Sequence, residues 1–169
     1  MEKYLELREK ALLNLKNANQ GISFTYPLIK ENKVLLSIVN HLFLASTQIM
    51  GSILYYELKF KRIDLFEDNF ESKLRIFKNK VIDKYNLDSN YTKIMRDLKE
   101  IIVAHNDSPI EFSRGNKLII CNDNYEIKEI SIETLKKVQD KTKVFIDEVI
   151  SITSDARITF LRKSRNEES

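Results

Sequence analysis

Glycine, proline and cysteine are all scarce in this chain: three, two and one among 169 residues. So few turn formers leave little room for the many reversals of an all-β fold and favour helices. A single cysteine, Cys121, excludes a disulfide within the chain, which fits a reducing cytoplasm better than secretion. An excess of one charge is also missing. Basic residues number 28 and acidic residues 25, a net charge of +3, which permits nucleic-acid binding without arguing for it. The N-terminal MEKYLELREKALLNLK is charged and amphipathic, so no secretory signal is expected. One long uncharged run stretches from Val34 to Tyr56, long enough to span a bilayer. It carries Ser37, Asn40, His41, Ser46, Thr47, Gln48 and Ser52, which are costly in hydrocarbon. The run therefore reads as the core helix of a soluble bundle, with no membrane involved.

Several site chemistries are missing as well. Scattered glycines cannot build a phosphate-cradling loop. Two histidines and one cysteine, far apart, give no zinc site of ordinary spacing. Neither His41 nor His105 has a glutamate three residues before it, so the paired Glu-x-x-His pattern of a di-iron bundle is absent. No nucleophile-elbow pattern is present. The expectation is a protein with no metal and no cofactor.

What remains is a helical pattern. Tyr4, Leu5, Ala11, Leu12 and Leu15 recur at helical spacing over residues 2–18, and Gly21 is expected to stop that helix. Pro27 suits the first turn of a second helix reaching to about Lys61. In that helix Leu35, Ile38, Leu42, Ala45, Ile49 and Tyr56 share one face, and Leu36, Val39, Phe43, Met50 and Leu54 the adjoining one. A third helix is expected over 67–85 on Phe70, Leu74, Phe77, Val81 and Tyr85. A fourth, over 90–104, carries Ile94, Leu98, Ile101 and Ile102, with Asp88 or Ser89 as its cap. The period then changes to two. IEFSRGNKLIIC reads as a hairpin turning at Arg114-Gly115-Asn116, and YEIKEIS adds a third strand. Ser131 caps a last helix on Leu135, Val138, Phe145, Val149 and Ile152. The fold class is thus mainly α: a bundle of about five helices with a small β-hairpin or meander before the last. Residues 1–160 form one domain, the hairpin lies at about 110–130, and 161–169 form a charged, flexible tail.

Two histidines are the candidates for chemistry. His41, seven residues from Gln48 and four from Ser37, belongs to a narrow polar stripe. It reads as a core histidine bonded across the bundle, with a partner-facing polar seam as the alternative. His105 ends the fourth helix, downstream of Arg96, Lys99 and Glu100. Cleavage of RNA by its own 2′-hydroxyl needs a proton acceptor and a cation near the developing phosphorane charge, and histidine and arginine suit those jobs. A histidine in a last helical turn also relieves the helix dipole, which is the plain structural reading.

NHLFLASTQIMGSILYYE followed by MRDLKEIIVAH resembles the HEPN-like superfamily of prokaryotic helical bundles over residues 30–155. The resemblance implies a symmetric dimer with two Arg-x(4–6)-His motifs facing each other. Active relatives would be metal-independent ribonucleases or toxins, and others inactive partners or nucleotide-binding subunits. Here eight residues separate Arg96 from His105, whereas five separate Lys99 from it, with Glu100 directly after that lysine. Lysine lacks the planar fork that clamps a phosphate. The reading is a non-catalytic or weakly active cytoplasmic module of a toxin–antitoxin type system, binding RNA or a nucleotidyltransferase-type protein. Glu100, Asn106 and Arg114 are its candidate binding residues. The alternatives are a metal-independent endoribonuclease using His105 with Lys99 or Arg96, and a structural adaptor. A homodimer is expected because the second helix carries more apolar surface than one small bundle would cover.

Overall fold

The computed structural model describes residues 1–107 and 110–167, with side chains through residue 154. Helix α1 spans Lys3–Gln20 and continues through a π turn, Gly21–Thr25, into a last turn, Tyr26–Leu28. The long α2 is Asn32–Lys59. Helix α3 comprises Phe70–Ile76, a second π turn at Phe77–Val81, and Ile82–Tyr85. Helix α4 is Asn90–Asp107, and α5 is Ile132–Glu167. Between them β1 (Ile110–Arg114), β2 (Lys117–Cys121) and β3 (Ile127–Ser131) form an antiparallel meander in sequence order. The fold is mainly α, with a small sheet before the last helix.

Several local signals act as their chemistry requires. Gly115 takes φ 63° in the hairpin turn, where a side chain would be strained. Asp88 accepts the Asn90 N–H at 2.9 Å, so it serves α4 where Ser89 was the alternative. Ser131 accepts the Thr134 N–H at 3.2 Å at the start of α5.

Other boundaries differ from the pattern. Gly21 does not stop α1. Its φ of −59° and ψ of −45° are helical, and its lack of a side chain serves a close approach instead. A Cβ there would stand 2.7 Å from Ile38 Cγ1. Pro27 falls in the last turn of α1, not the first of α2. The Tyr26 N–H reaches back to the Gly21 carbonyl, and the Ile29 N–H bonds the Thr25 carbonyl at 2.8 Å. The helix therefore closes on both sides of Pro27 without the N–H that proline lacks. Helix α4 runs to Asp107, three residues past the boundary expected at 104, and His105 lies in its last turn. Helix α5 runs to Glu167, past the boundary expected near 160, and the side chains of the tail expected at 161–169 lie outside those described. On α1 the buried residues are Tyr4, Ala11 and Ala18, whereas Leu12 is exposed. Alanines at 11 and 18 let α1 lie close against α2.

The core has two clusters strung along α2. Ala45, Ile49, Met50, Ile53 and Leu54 pack with α3, the first half of α4 and the Phe145–Val149 segment of α5. Val34, Leu35, Ile38, Val39 and Leu42 pack with the end of α1, Leu98, the start of α5 and the inner sheet face of Leu118, Ile120 and Ile130. Helix α2 is long and apolar enough to cross a membrane by length and composition, yet 15 of its 28 residues are buried inside this bundle. Among its large apolar side chains only Leu44 is exposed. Apart from Leu44, the apolar surface of this helix is therefore covered within the chain, by α1, α3, α4, α5 and the sheet.

Candidate functional site

The α4 residues singled out by sequence divide between two places. Arg96, Lys99 and Glu100 line an open groove of about 800 Å³, together with Val103, Ala104 and Asp107 of the same helix. The opposite wall is Asn122, Glu126, Ile127 and Lys128, and Phe70 and Glu71 close one end. Lys99 Nζ lies 3.6 Å from a Glu71 carboxylate oxygen and 4.4 Å from the centre of the Phe70 ring. Glu100 accepts Lys128 Nζ at 2.5 Å. The groove is thus lined by both signs of charge over apolar side chains, with Val103 and Ile127 exposed.

His105 faces away from this groove. Successive residues turn about 100° around a helix, so nine steps from Arg96 put His105 on the far side and six steps from Lys99 put it about 120° away. Its Nδ1 hydrogen-bonds the carboxylate of Glu111 on β1. Within one chain the histidine and the two cations are therefore not brought together. Arg114 is no closer. Residues 111 and 114 fall on opposite faces of a strand, so Arg114 belongs to the outer face with Phe112, and it sits at the hairpin turn. Asn106 is exposed on the last turn of α4.

Sequence reasoning missed the partners. Glu111 as the carboxylate on His105, and Glu71 with Phe70 around Lys99, are set by packing of other elements against α4. It also missed Glu57, which is only 1% exposed. Glu57 accepts Lys84 Nζ at 2.5 Å and Arg62 Nη1 at 3.2 Å, and it accepts the Tyr85 hydroxyl as well. Burial, and then the neighbouring Glu57, push that tyrosine hydroxyl above its usual range.

His41 is half-buried and bonded across the bundle, Nδ1 lying 2.9 Å from Asn14 Oδ1. Asn14 also donates to Gln48 Oε1 at 2.9 Å, which ties the polar stripe of α2 to α1. Among the described residues no group of three or more histidines, cysteines or carboxylates is arranged to hold a metal ion. Compared with protein-family models, curated proteins and solved structures, the chain matches none.

Proposed function

We propose that this protein is a non-catalytic HEPN-like module of the cytoplasm, of the kind found in toxin–antitoxin systems, whose α4–sheet groove binds a segment of a protein partner. The observation that carries this reading is the charge pattern of the groove. Arg96, Lys99 and Lys128 are outnumbered there by Glu71, Glu100, Asp107 and Glu126. An RNA backbone would meet four carboxylates, whereas the free energy of phosphate binding comes from cations that displace counterions. A mixed-charge peptide with apolar anchors meets complementary groups and can cover Val103 and Ile127. A photo-cross-linker at position 103 is expected to capture one protein in source cells, and Ile127→Asp to abolish the capture. Unchanged capture by that variant, or salt-sensitive RNA binding lost in Arg96→Ala, would turn the reading toward another surface or toward RNA.

One observation favours a second reading, a metal-independent endoribonuclease. A histidine oriented by a carboxylate is the arrangement of a general base, and His105 with Glu111 has it while staying partly exposed. Incubation of the pure protein with total tRNA separates the two readings. Cleavage that survives EDTA and vanishes in His105→Ala would establish the enzyme, and intact tRNA the binding module.

We also propose a symmetric homodimer, now through the sheet and not through α2. Every residue of β1 is exposed, Ile110 and Phe112 at about half of their surface, and an exposed edge strand is a template for another chain. Two copies of β1 running antiparallel about Phe112 would set Glu111 opposite Ser113 and oppose no like charges. Both His105 side chains would then approach the two-fold axis. Sedimentation equilibrium with Phe112→Asp as control tests this: a monomer of about 20 kDa removes it.

A further inference from the structure

A second cleft, of about 460 Å³, lies where α1 passes into its π turn against the first half of α2. Its polar wall is Asn17, Gln20 and Thr25 on one side and Lys33, Ser37 and His41 on the other. No carboxylate is among its lining residues, in contrast with the α4 groove. The chemistry offered is one ammonium, two hydroxyls, two amides and an imidazole.

The imidazole is more defined than it first looks. Asn14 Nδ2 donates to the Lys10 backbone carbonyl at 3.1 Å. A backbone carbonyl can only accept, so the amide orientation of Asn14 is fixed, and its Oδ1 is the atom facing His41. That oxygen also can only accept. Nδ1 of His41 therefore carries the ring proton of the neutral imidazole, and Nε2 is left with a lone pair. Nε2 has no protein partner among the described residues. The cleft thus presents an acceptor at one end. At the other is Lys33, whose contact is Glu31 at 3.1 Å. Both members of that pair are mostly exposed, 79% and 55%, so it is weak and yields to a ligand anion at little cost.

Lys33, Ser37 and His41 repeat every fourth residue, so the backbone positions of Lys33 and His41 are about 12 Å apart along α2, and the ammonium lies against Glu31, which precedes both in the chain. One inorganic phosphate cannot reach both. A molecule with an anion at one end and hydroxyl groups along its length can, and a cleft of this volume lies within the range of small-molecule sites, about 300–1,000 Å³. We propose that this cleft binds a sugar monophosphate. Lys33 takes the phosphate, Ser37, Asn17 and Gln20 bond the middle hydroxyls, and His41 Nε2 accepts a hydrogen bond from the hydroxyl at the far end. The site is separate from the α4 groove, and it stands whichever partner that groove binds.

The test is titration calorimetry of the full chain with glucose 6-phosphate and ribose 5-phosphate, and with glucose and inorganic phosphate as single-ended controls. At least one of the two esters is expected to bind about tenfold or more tightly than either control. Lys33→Ala, an exposed position, is expected to bring the ester down to the level of the free sugar. His41→Ala is expected to weaken the ester about tenfold while leaving inorganic phosphate unchanged. Because His41→Ala also removes a bond to Asn14, nitrogen NMR of the wild-type imidazole gives a reading that needs no variant. It should show the proton on Nδ1, and the Nε2 resonance should move on addition of the ester but not of phosphate. Failure of both esters to bind, inorganic phosphate binding as tightly as an ester, or a proton on Nε2 would each overturn the proposal.

Discussion

Replacing Gly21 by alanine sets two effects of opposite sign against each other. Glycine in a helix costs about 1 kcal/mol relative to alanine, so the exchange alone should stabilise. The backbone raises no objection, since φ −59° and ψ −45° suit any residue. The obstacle lies on the neighbouring helix. A Cβ at 21 would stand 2.7 Å from Ile38 Cγ1 and 3.3 Å from Cδ1. Ile38 is 1% exposed and packed among Ala18, Ile22 and Leu35, so its branch has nowhere to turn, and Cγ1 is not a free end. Overpacking of this kind costs about 1–3 kcal/mol. A 2.7 Å approach to a buried branch atom belongs in the upper part of that range, about 2–3 kcal/mol. The clash therefore wins, with a net loss of about 1–2 kcal/mol. For a chain of this length that lowers the midpoint of thermal unfolding by about 2–8 °C. Urea unfolding followed by circular dichroism measures it. Ile38→Ala alone should cost about 2–5 kcal/mol, and the double variant at least about 1 kcal/mol less than the sum, because removing the branch relieves the clash. A neutral or stabilising Gly21→Ala, or strict additivity, would show that α1 and α2 are not held this closely at residue 21.

Glu57→Ala should destabilise by about 2–4 kcal/mol, at or below the usual cost of breaking a buried pair, because Lys84 and Arg62 are 40% exposed and can turn to water. A loss under about 0.5 kcal/mol in urea unfolding would place that carboxylate in solvent. Lys61, two residues past the end of α2, has φ 54°, its N–H bonding the Leu58 carbonyl at 3.0 Å and the Arg62 N–H the Glu57 carbonyl at 2.9 Å. Glycine suits that left-handed position, so Lys61→Gly should raise stability by about 0.5–1 kcal/mol, and a loss in thermal unfolding would contradict the left-handed geometry. Lys73 holds the Asp68 carboxyl below its ordinary value of 3.8. A depressed carboxylate stabilises above its unfolded pKa and loses that contribution as pH falls through the folded one. The urea-midpoint difference between wild type and Asp68→Asn should therefore be present at neutral pH, shrink below about pH 4 and weaken in salt, and a constant difference would refute the pairing.

The elements could be read from the chain wherever a residue's local chemistry has one use. Gly115 between two alternating runs, Ser131 before an apolar stripe and the uncharged run of α2 are of that kind. Gly21 and Pro27 misled because each has two uses. A glycine that allows left-handed backbone also allows a close approach, and a proline that opens a helix also fits beside a widened turn. Which use applies depends on Ile38 and on a π turn, neither of which leaves a periodic mark. The candidate site was half legible for the same reason. Helical spacing put Arg96, Lys99 and Glu100 on one face, and the groove lies there. The partners Glu111, Glu71 and Lys128 come from other elements, and no spacing rule within α4 reports them.

The two clusters strung along α2 have a consequence for how the molecule opens. Helices α1, α4 and α5 each contribute to both clusters, whereas α3 belongs to one and the sheet to the other. The clusters therefore cannot melt one after the other without breaking a helix in the middle, and α2 should exchange its amide protons only when the whole chain unfolds. The sheet, on one cluster only and with β1 exposed throughout, can detach while the spine stays intact. Its amides should exchange first, which makes the end carrying His105 and Glu111 the end most readily remodelled by whatever binds there.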